Sequence, residues 1–183
     1  ATMTPDAASP SCASLVQGAI GATNAFAFDV SAACSGFVYA LSTGLKMLEH
    51  GQRKYGIVIG AETMLSSLDW DDRSTAILFG DGAGAVLLQK DEEPFFLAET
   101  LQNDGQKSEA LVAGKRMTNQ TVSTMTMDGR GVYELVSKTV PVNIQDTLQK
   151  SGYTADDIDL YLLHQANRRL VEQVAKKLKQ PIE

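Results

Sequence analysis

The residues best suited to covalent chemistry are one cysteine and one histidine, each placed shortly after an apolar stretch. Cys34 lies between the apolar run 25–30 and a helical pattern that starts at Phe37. His164 follows the apolar run 158–163. A thiol with an imidazole nearby is a frequent nucleophile–base pair in enzymes. Each residue taken alone also has a structural interpretation, as an inert buried cysteine or as a histidine that ends a strand.

The surroundings of Cys34 predict an activated thiol. Residues 25–30 are apolar and rich in β-forming types, which predicts a buried strand. From Phe37 onwards apolar residues recur at helical spacing with few polar positions, so we expect a buried helix that runs to His50 and ends at Gly51. Unpaired N–H groups at the start of a helix and the helix dipole both favour negative charge. We therefore expect Cys34 to ionise near neutral pH.

The composition argues against several other classes of protein. The chain has 183 residues and a formal net charge of −6, which does not suggest nucleic-acid binding. No apolar run is long enough to span a bilayer, and no signal peptide is visible. The two cysteines, Cys12 and Cys34, do not form the pattern of a disulfide framework, which favours a reducing, cytoplasmic setting.

Two further elements are predicted in the first half of the chain. Residues 11–21 have helical periodicity, with Ser9 or Ser11 as the N-cap and Cys12 as a small core residue in the first turn. Residues 55–61 are continuously apolar, which predicts a strand covered on both faces of its sheet.

A glycine-rich run and a charged linker mark the middle of the chain. Residues 79–85 lack the Lys-Ser/Thr ending of a phosphate loop, so we interpret their glycines as a tight turn before a strand at 85–88. The charged residues 90–94 indicate a boundary, which divides the chain into parts 1–92 and 93–183.

The second half repeats an order of strands and helices. Its predicted elements are a strand at 95–100, a polar aperiodic stretch at 103–126, a long helix at 132–148, a strand at 158–163 and a closing helix at 170–178. Pro141 should kink the long helix or leave a gap in its hydrogen bonding. Because Cys34 and His164 each follow a predicted strand, we expect an α/β protein whose ligands bind at the carboxyl ends of strands.

Five short motifs carry a family resemblance. They are Ala32-Ala33-Cys34-Ser35-Gly36-Phe37, Asp72-Arg73, Phe79-Gly80-Asp81-Gly82-Ala83-Gly84-Ala85, Met127-Asp128-Gly129 and His164-Gln165-Ala166-Asn167. In this order they resemble β-ketoacyl-acyl carrier protein synthase III, the initiating condensing enzyme of bacterial type II fatty acid synthesis. The resemblance runs through nearly the whole chain, and the motifs are specific together although the glycine-rich run alone is not.

The resemblance implies a thiolase-like fold, an αβαβα sandwich of two related α/β halves with the Cys34 helix at its centre, and a homodimer. Residues 1–92 would be the C-terminal part of the first half, and residues 93–183 the N-terminal part of the second. The family's first strands and its third catalytic residue, an asparagine in a Gly-Asn-Thr-Ser motif, have no counterpart in these 183 residues. We therefore expect a fragment, or the ordered part of a longer polypeptide, that is inactive by itself.

The same resemblance implies the catalytic roles. Cys34 would take an acyl group from acyl-CoA, typically acetyl-CoA, with its backbone N–H in the oxyanion hole. His164 would stabilise the enolate that forms when malonyl-acyl carrier protein loses CO2. That carbanion would attack the acyl group on Cys34 to give 3-oxoacyl-acyl carrier protein. The implied reaction needs no metal or redox cofactor.

Further residues would bind the substrates. Arg73 matches the arginine that packs on the CoA adenine, and Gly129 and Asn167 match positions along the pantetheine tunnel. Arg169, with Arg168 beside it, matches the arginine that docks the acidic carrier protein. The closing helix carries three more basic residues, Lys176, Lys177 and Lys179. A solvated helix face is the alternative interpretation of this basic cluster.

Two other classes of function stay open. A sister condensing enzyme of the polyketide type, or a thiolase, would share the nucleophile. Thiolases, however, have a second active-site cysteine and an Asn-Glu-Ala-Phe type motif in place of His164-Gln165-Ala166-Asn167, and plant-type polyketide synthases have His-Pro-Gly there. A non-catalytic subunit would have replaced the nucleophile, whereas Cys34 is present. These residues do not define the preference for the primer acyl group.

Overall fold

The computed structural model describes residues 1–93, 95–113 and 125–182. The predicted linker residue Pro94 and part of the aperiodic stretch 103–126 lie outside the described residues. The chain divides into two compact units, one of Ala1–Ser66 and Gly80–Glu92 and one of Ser67–Phe79 and Glu93–Glu183. One boundary falls at Glu92, where the sequence predicts a division, whereas residues 67–79 belong to the second unit. The assignment of parts 1–92 and 93–183 to two related halves stays a prediction.

The first unit contains two helices and one antiparallel pair of strands. These are helices α1 (Cys12–Ala19) and α2 (Gly36–His50) and strands β1 (Tyr55–Thr63) and β2 (Asp81–Gln89). Helix α2 ends at His50 with Gly51 as its C-cap, as the sequence predicts.

The described residues of the second unit form three helices and a short antiparallel sheet. These are helices α3 (Arg73–Ala76), α4 (Gly129–Ser151) and α5 (Arg168–Leu178) and strands β3 (Leu111–Val112) and β4 (Thr126–Met127). Short 3-10 turns lie at Ala33–Ser35 and Met64–Ser67 in the first half of the chain and at Gly105–Ala110 and Ala155–Asp157 in the second. None of the helices that the structure describes combines the length and the apolarity needed to cross a membrane.

Helix α2 packs against β1 and β2 to form the core of the first unit. Leu48 of α2 and Val58 of β1 are buried. A Cβ atom added at Gly44 would lie 3.1 Å from Leu88 Cδ1 and 3.2 Å from Val58 Cγ2. The helix therefore approaches the strands so closely at Gly44 that a side chain there would force its neighbours to move.

The opposite face of α2 lies open. Val38 is 52% exposed and Met47 is 43% exposed. On β1, Tyr55 and Ile57 point away from α2 and are also exposed. The expectation of a helix buried all round and a strand covered on both faces is therefore wrong for this chain. Covering the second face of each element takes another protein layer, which the described residues of this unit do not supply.

The glycine-rich run is part of a strand and not a tight turn. Strand β2 begins at Asp81, so Gly82 and Gly84 lie inside it, opposite Glu62 and Gly60 of β1. The predicted turn is wrong here because the hydrogen-bond ladder to β1 extends the strand through residues of low strand preference.

The structure contains no strand in three described segments where the sequence predicts one, at 25–30, 95–100 and 158–163. In the first segment, the N–H of Thr2 donates to the carbonyl of Val30 at 3.1 Å. In the second, the carbonyl of Glu99 accepts from Lys150 Nζ at 3.0 Å. An apolar segment favours an extended chain, but a strand also requires a partner strand for its ladder, and local sequence does not supply that partner.

In the second unit, α4 and α5 pack against each other. The buried residues of α5 are Leu170, Val174 and Leu178, at the predicted helical spacing. Helix α4 contains Pro141, as predicted. Proline has no N–H group, so the carbonyl of Ser137 four residues earlier receives no helical hydrogen bond. The buried hydroxyl of Ser137 also has no partner among the described residues.

Helix α1 is held at its start by two side chains. Ser11 is the N-cap, and its Oγ accepts from the N–H of Ser14 at 3.2 Å. The carboxylate of Asp29 accepts from the N–H groups of Cys12 and Ala13, each at 2.8 Å. The chain before Cys34 is therefore tied to the positive end of α1, where the helix dipole favours a carboxylate.

We expect Asp29→Asn to lower the free energy of unfolding by about 1–2 kcal/mol, because the neutral amide loses the charge and one acceptor at the helix terminus. Urea denaturation followed by circular dichroism measures the change. Asp6→Asn is the matched control, since Asp6 is exposed and the same charge is removed. Equal destabilisation by the two variants would contradict this role of Asp29.

Candidate active site

Cys34 lies in the 3-10 turn Ala33–Ser35, which leads directly into α2. The preceding residue, Ala33, has a φ angle of 47°, in the left-handed region that residues other than glycine rarely adopt. This conformation costs alanine about 1–2 kcal/mol and persists only where the surrounding structure maintains it. Backbone strain of this kind is frequent at functional sites, which is consistent with Cys34 as a candidate nucleophile.

The pKa of the Cys34 thiol is raised above its ordinary value. Desolvation by the surrounding protein is the largest cause, the negative charge of Glu62 adds to it, and a hydrogen bond from the backbone N–H of Cys34 acts in the opposite direction. The residue as a whole is exposed, so this desolvation still leaves a path for a substrate. The expectation of a thiolate near neutral pH is therefore wrong for this chain. Helix α2 begins two residues later, at Gly36.

His164 is exposed and lies in the irregular segment that precedes α5. Asp157 Oδ2 accepts from the N–H of Thr154 at 2.7 Å and from its hydroxyl at 2.6 Å. These bonds, the hydroxyl first, lower the pKa of Asp157. The hydroxyl of Tyr161 donates to the carbonyl of Ala155 at 2.9 Å. Local hydrogen bonds thus hold the chain on the N-terminal side of His164.

Asn167 ends this segment as the N-cap of α5. Its Oδ1 accepts from the N–H of Leu170 at 3.0 Å. Arg168 Nε donates to Glu172 Oε1 at 2.6 Å, a surface ion pair one helical turn apart. Arg169 is exposed. The first turn of α5 therefore presents cations to solvent next to His164.

Arg73 is the first residue of α3, which Asp72 caps. Asp72 Oδ1 accepts from the hydroxyl of Ser74 at 2.6 Å and from its N–H at 2.9 Å. These bonds, with the Ser74 hydroxyl as the largest cause and a further one from Thr75, lower the pKa of Asp72. The cap therefore stays ionised to a lower pH than a free aspartate would.

Gly129 is the first residue of α4, and Asp128 is its N-cap. A Cβ atom added at Gly129 would meet Met127 Cε at 3.8 Å, an ordinary contact distance, so packing among the described residues does not require glycine there. Helix α3 contacts β4, the strand that leads to Gly129. Arg73 and Gly129 therefore lie on neighbouring elements of the same unit.

Comparison with known proteins identifies the family. The family model described as 3-oxoacyl-[acyl-carrier-protein (ACP)] synthase III matches residues 28–105, and the model of its C-terminal part matches residues 148–183. The β-ketoacyl-[acyl-carrier-protein] synthase III of Streptococcus suis is 50% identical over 185 aligned positions, which cover 97% of this chain and 57% of the relative. This chain belongs to the 3-oxoacyl-acyl carrier protein synthase III family. A synthase III of Lactococcus lactis is 48% identical with the same coverage, so the chain spans somewhat more than half the length of these curated relatives.

Solved structures of this synthase family share the fold. The 3-oxoacyl-(acyl carrier protein) synthase III of Pseudomonas aeruginosa matches with a TM-score of 0.93 and 34% identity, covering 100% of this chain and 57% of that protein. The enzyme of Aquifex aeolicus matches with a TM-score of 0.90 and 38% identity, covering 98% of this chain and 57% of that protein. The predicted thiolase-like α/β fold class is therefore confirmed.

The second unit contains most of the residues that the synthase III resemblance singles out, in two separate groups. His164 and Asn167 share one short segment with Arg168 and Arg169, and Arg73 lies near the strand that leads to Gly129. Cys34 belongs to the first unit. The pairing of Cys34 with His164, and the roles assigned to all these residues, stay predictions.

Motif reasoning missed Glu62, Asp29 and the conformation of Ala33. A glycine at position 33 would have indicated a left-handed residue, but alanine does not. Glu62 acts on Cys34 across 28 residues of chain, and Asp29 acts on a helix that precedes it. A local pattern of residue types does not reveal contacts between residues that lie so far apart in the sequence.

The raised pKa predicts slow alkylation of Cys34 at neutral pH. Because the thiolate is the reacting form, a raised pKa leaves less of it at any given pH below that pKa. The rate of reaction with iodoacetamide, followed at Cys34 by peptide mass spectrometry, should reach half of its plateau at a higher pH in the folded chain than in the same chain in urea. A lower half-plateau pH in the folded chain would contradict the raised pKa.

Substitutions at Asn167 separate helix capping from any role toward a substrate. We expect Asn167→Ala to destabilise the protein by about 1 kcal/mol, because the N–H of Leu170 loses its acceptor, whereas Asn167→Ser keeps a capping oxygen and most of the stability. Hydrogen exchange at the amide of Leu170 and urea denaturation measure both effects. Equal protection in the alanine and serine variants would rule out the cap. A serine variant that is stable but binds CoA substrates weakly would assign the carboxamide to the substrate.

Proposed function

We propose that the protein containing this chain catalyses a decarboxylative Claisen condensation that initiates fatty acid biosynthesis. Its substrates would be an acyl-CoA, with acetyl-CoA as the expected primer, and malonyl-acyl carrier protein, and its product 3-oxoacyl-acyl carrier protein. The observation that supports this best is the identity of about half of all aligned residues to curated β-ketoacyl-[acyl-carrier-protein] synthase III proteins, with Cys34 and His164 both present in the chain.

The first half-reaction is acyl transfer to Cys34. The thiol loses its proton to solvent, the sulfur attacks the thioester carbonyl of acyl-CoA, and the carbon–sulfur bond to CoA breaks, so that CoA leaves as a thiolate and takes up a proton from solvent. The backbone N–H of Cys34 would donate to the oxyanion of the tetrahedral intermediate. Because the pKa of this thiol is raised, loss of its proton is a demanding step of this half-reaction.

The second half-reaction forms the carbon–carbon bond. An N–H of the His164 imidazole would donate to the thioester carbonyl of malonyl-acyl carrier protein, so that the carbon–carboxylate bond breaks and CO2 leaves an enolate. The enolate carbon then attacks the acyl group on Cys34, and the cysteine sulfur leaves as a thiolate. The exposure of His164 is consistent with contact to a substrate delivered by another protein.

The substrate-binding roles follow the same proposal. Arg73 would pack on the adenine of CoA, and Gly129 and Asn167 would line the pantetheine path. Arg169, with Arg168 beside it, would dock the carrier protein. The exposure of both arginines at the start of α5, in the segment that also holds His164, supports this arrangement.

We further propose a homodimer in the cytoplasm that works without a metal or redox cofactor. Both substrates are already activated as thioesters, and loss of CO2 drives the condensation, so the proposed steps call for no further group. Cys12 and Cys34 are both free thiols, as is usual for proteins of a reducing compartment. Sedimentation analysis of the intact protein tests the dimer.

A related priming reaction in polyketide synthesis is the second candidate. The priming β-ketosynthase of the R1128 polyketide pathway matches with a TM-score of 0.89 and 30% identity over 98% of this chain. The identity to the β-ketoacyl-[acyl-carrier-protein] synthase III of Streptococcus suis is higher, at 50%, which favours the first candidate. Competition between acetyl-CoA and longer acyl-CoA primers distinguishes the two functions, since a preference for longer primers would favour the polyketide type.

In the intact protein, Cys34→Ser should abolish acyl transfer from acetyl-CoA, because a hydroxyl is not appreciably ionised at neutral pH. His164→Ala should retain acylation of Cys34 and lose decarboxylation of malonyl-acyl carrier protein by on the order of a hundredfold or more. Intact mass measures the acetyl adduct, and release of labelled CO2 measures decarboxylation.

Two outcomes would contradict these roles. Acyl transfer at a wild-type rate in Cys34→Ser would remove Cys34 from the mechanism. A His164→Ala variant that releases CO2 normally but is not acylated would reverse the assignment of the half-reactions. Cys12→Ser is the control, since Cys12 lies in α1 and should tolerate the same change.

Arg169→Glu should raise the KM for malonyl-acyl carrier protein by about tenfold through loss of electrostatic steering, and leave the KM for acetyl-CoA nearly unchanged. Lys54→Glu makes the same charge change at an exposed site of the first unit and should affect neither constant. Equal effects of Arg169→Glu on both substrates would argue against carrier docking.

A further inference from the structure

Residues 1–4, the bridging segment, connect β1 with the chain that leads to the candidate nucleophile. The carbonyl of Ala1 accepts from the N–H of Ala61 on β1 at 3.1 Å. The N–H of Thr2 donates to the carbonyl of Val30 at 3.1 Å, four residues before the cysteine. A displacement of the bridging segment relative to β1 would therefore also displace the chain that leads to Cys34.

Glu62 of β1 fastens the bridging segment. Its Oε1 accepts from the N–H of Met3 at 2.9 Å, and its Oε2 accepts from the hydroxyl of Thr4 at 2.7 Å. The same hydroxyl accepts from the N–H of Thr63 at 2.8 Å. Hydrogen bonds to a carboxylate are stronger than those between neutral groups, so they define where the carboxylate lies.

The charge of Glu62 also acts on Cys34. It raises the pKa of the thiol in addition to the desolvation described above. The turn around Cys34 contains no charged side chain. In the bridging segment, the ammonium group of Ala1 donates to the carbonyl of Ile59 at 2.6 Å. On α2, Tyr39 precedes Lys46, which lies 12 residues or about 18 Å beyond Cys34. The carboxylate of Asp29 is bound to the N-terminus of α1.

We propose that Glu62 is a positioning residue for the nucleophile: its carboxylate fastens the bridging segment to β1 and thereby places a negative charge beside the turn of Cys34. The proposal rests on Cys34 being the nucleophile of the proposed function. The thiol proton must leave before the sulfur attacks a thioester, so the charge of Glu62 would raise the pH at which Cys34 becomes reactive. A resting thiol is also less easily oxidised or alkylated than a thiolate.

The test is the pH dependence of alkylation of Cys34 by iodoacetamide, read at that residue by peptide mass spectrometry. Glu62→Gln removes the charge and keeps a side chain of the same length. We expect its half-plateau pH to fall by about half a unit or more, which is about a threefold gain in rate at pH 7. Glu49→Gln makes the same change at an exposed site near the far end of α2 and should leave the half-plateau pH unchanged. An unchanged value in Glu62→Gln overturns the proposal.

A second variant separates charge from position. Thr4→Val removes one of the two groups of the bridging segment that donate to Glu62 and keeps the charge, so its half-plateau pH should stay near that of the wild type. If Thr4→Val shifts the value as much as Glu62→Gln does, segment placement is responsible and the electrostatic role is overturned.

If Glu62→Gln does not fold, the electrostatic role of Glu62 is tested by the salt dependence of the half-plateau pH in the wild-type chain. Between 0.1 M and 1 M salt the screening length falls from about 10 Å to about 3 Å, so the half-plateau pH should fall relative to the chain in urea. A value independent of salt would overturn the proposal. Alkylation needs no synthase turnover, so these results stand apart from the outcome of the activity assays.

Discussion

Helix α2 lies so close to β1 and β2 that a side chain at Gly44 would force its neighbours to move, and the position of Cys34 depends on this contact. A Cβ atom at Gly44 would come within 3.1 Å of Leu88 and 3.2 Å of Val58. Cys34 lies two residues before the start of α2, so any displacement of the helix from the strands would move the thiol with it. Ala33, the residue before the cysteine, has the strained φ angle of 47°.

The protonation state of the Cys34 thiol results from effects that act in opposite directions on its pKa. The backbone N–H of Cys34 favours the thiolate, while desolvation and the charge of Glu62 favour the thiol, and the latter prevail. The position at the start of a helix is therefore not sufficient to activate a cysteine. Desolvation by the nearby protein and the charge of one carboxylate act against the thiolate at this position. In a condensing enzyme such a thiol would react when a substrate is present and persist unreacted between turnovers.

The second unit positions its candidate binding residues with helix caps. Arg73, Gly129 and Arg168 each follow a capping residue at the start of a helix, and those caps are Asp72, Asp128 and Asn167. In each case a side-chain oxygen accepts from backbone N–H groups of the first turn, which defines where the helix begins. A cap depends only on residues within three or four positions, so the backbone at these sites is set locally, independently of the wider fold.

The sequence by itself determined the family and the four longer helices, α1, α2, α4 and α5, whereas it did not predict the short helix α3. The cap Ser11, the end of α2 at His50 and the buried spacing of α5 follow from hydrogen bonds and contacts between residues a few positions apart, which a linear pattern records. Tertiary structure alone decided that residues 25–30 do not form a strand, that β2 runs through its glycines, and that one face of α2 lies open. It also decided the raised pKa of Cys34. Strand ladders, burial and the field at a thiol depend on atoms contributed by distant parts of the chain, and no local pattern of residue types states which parts will meet.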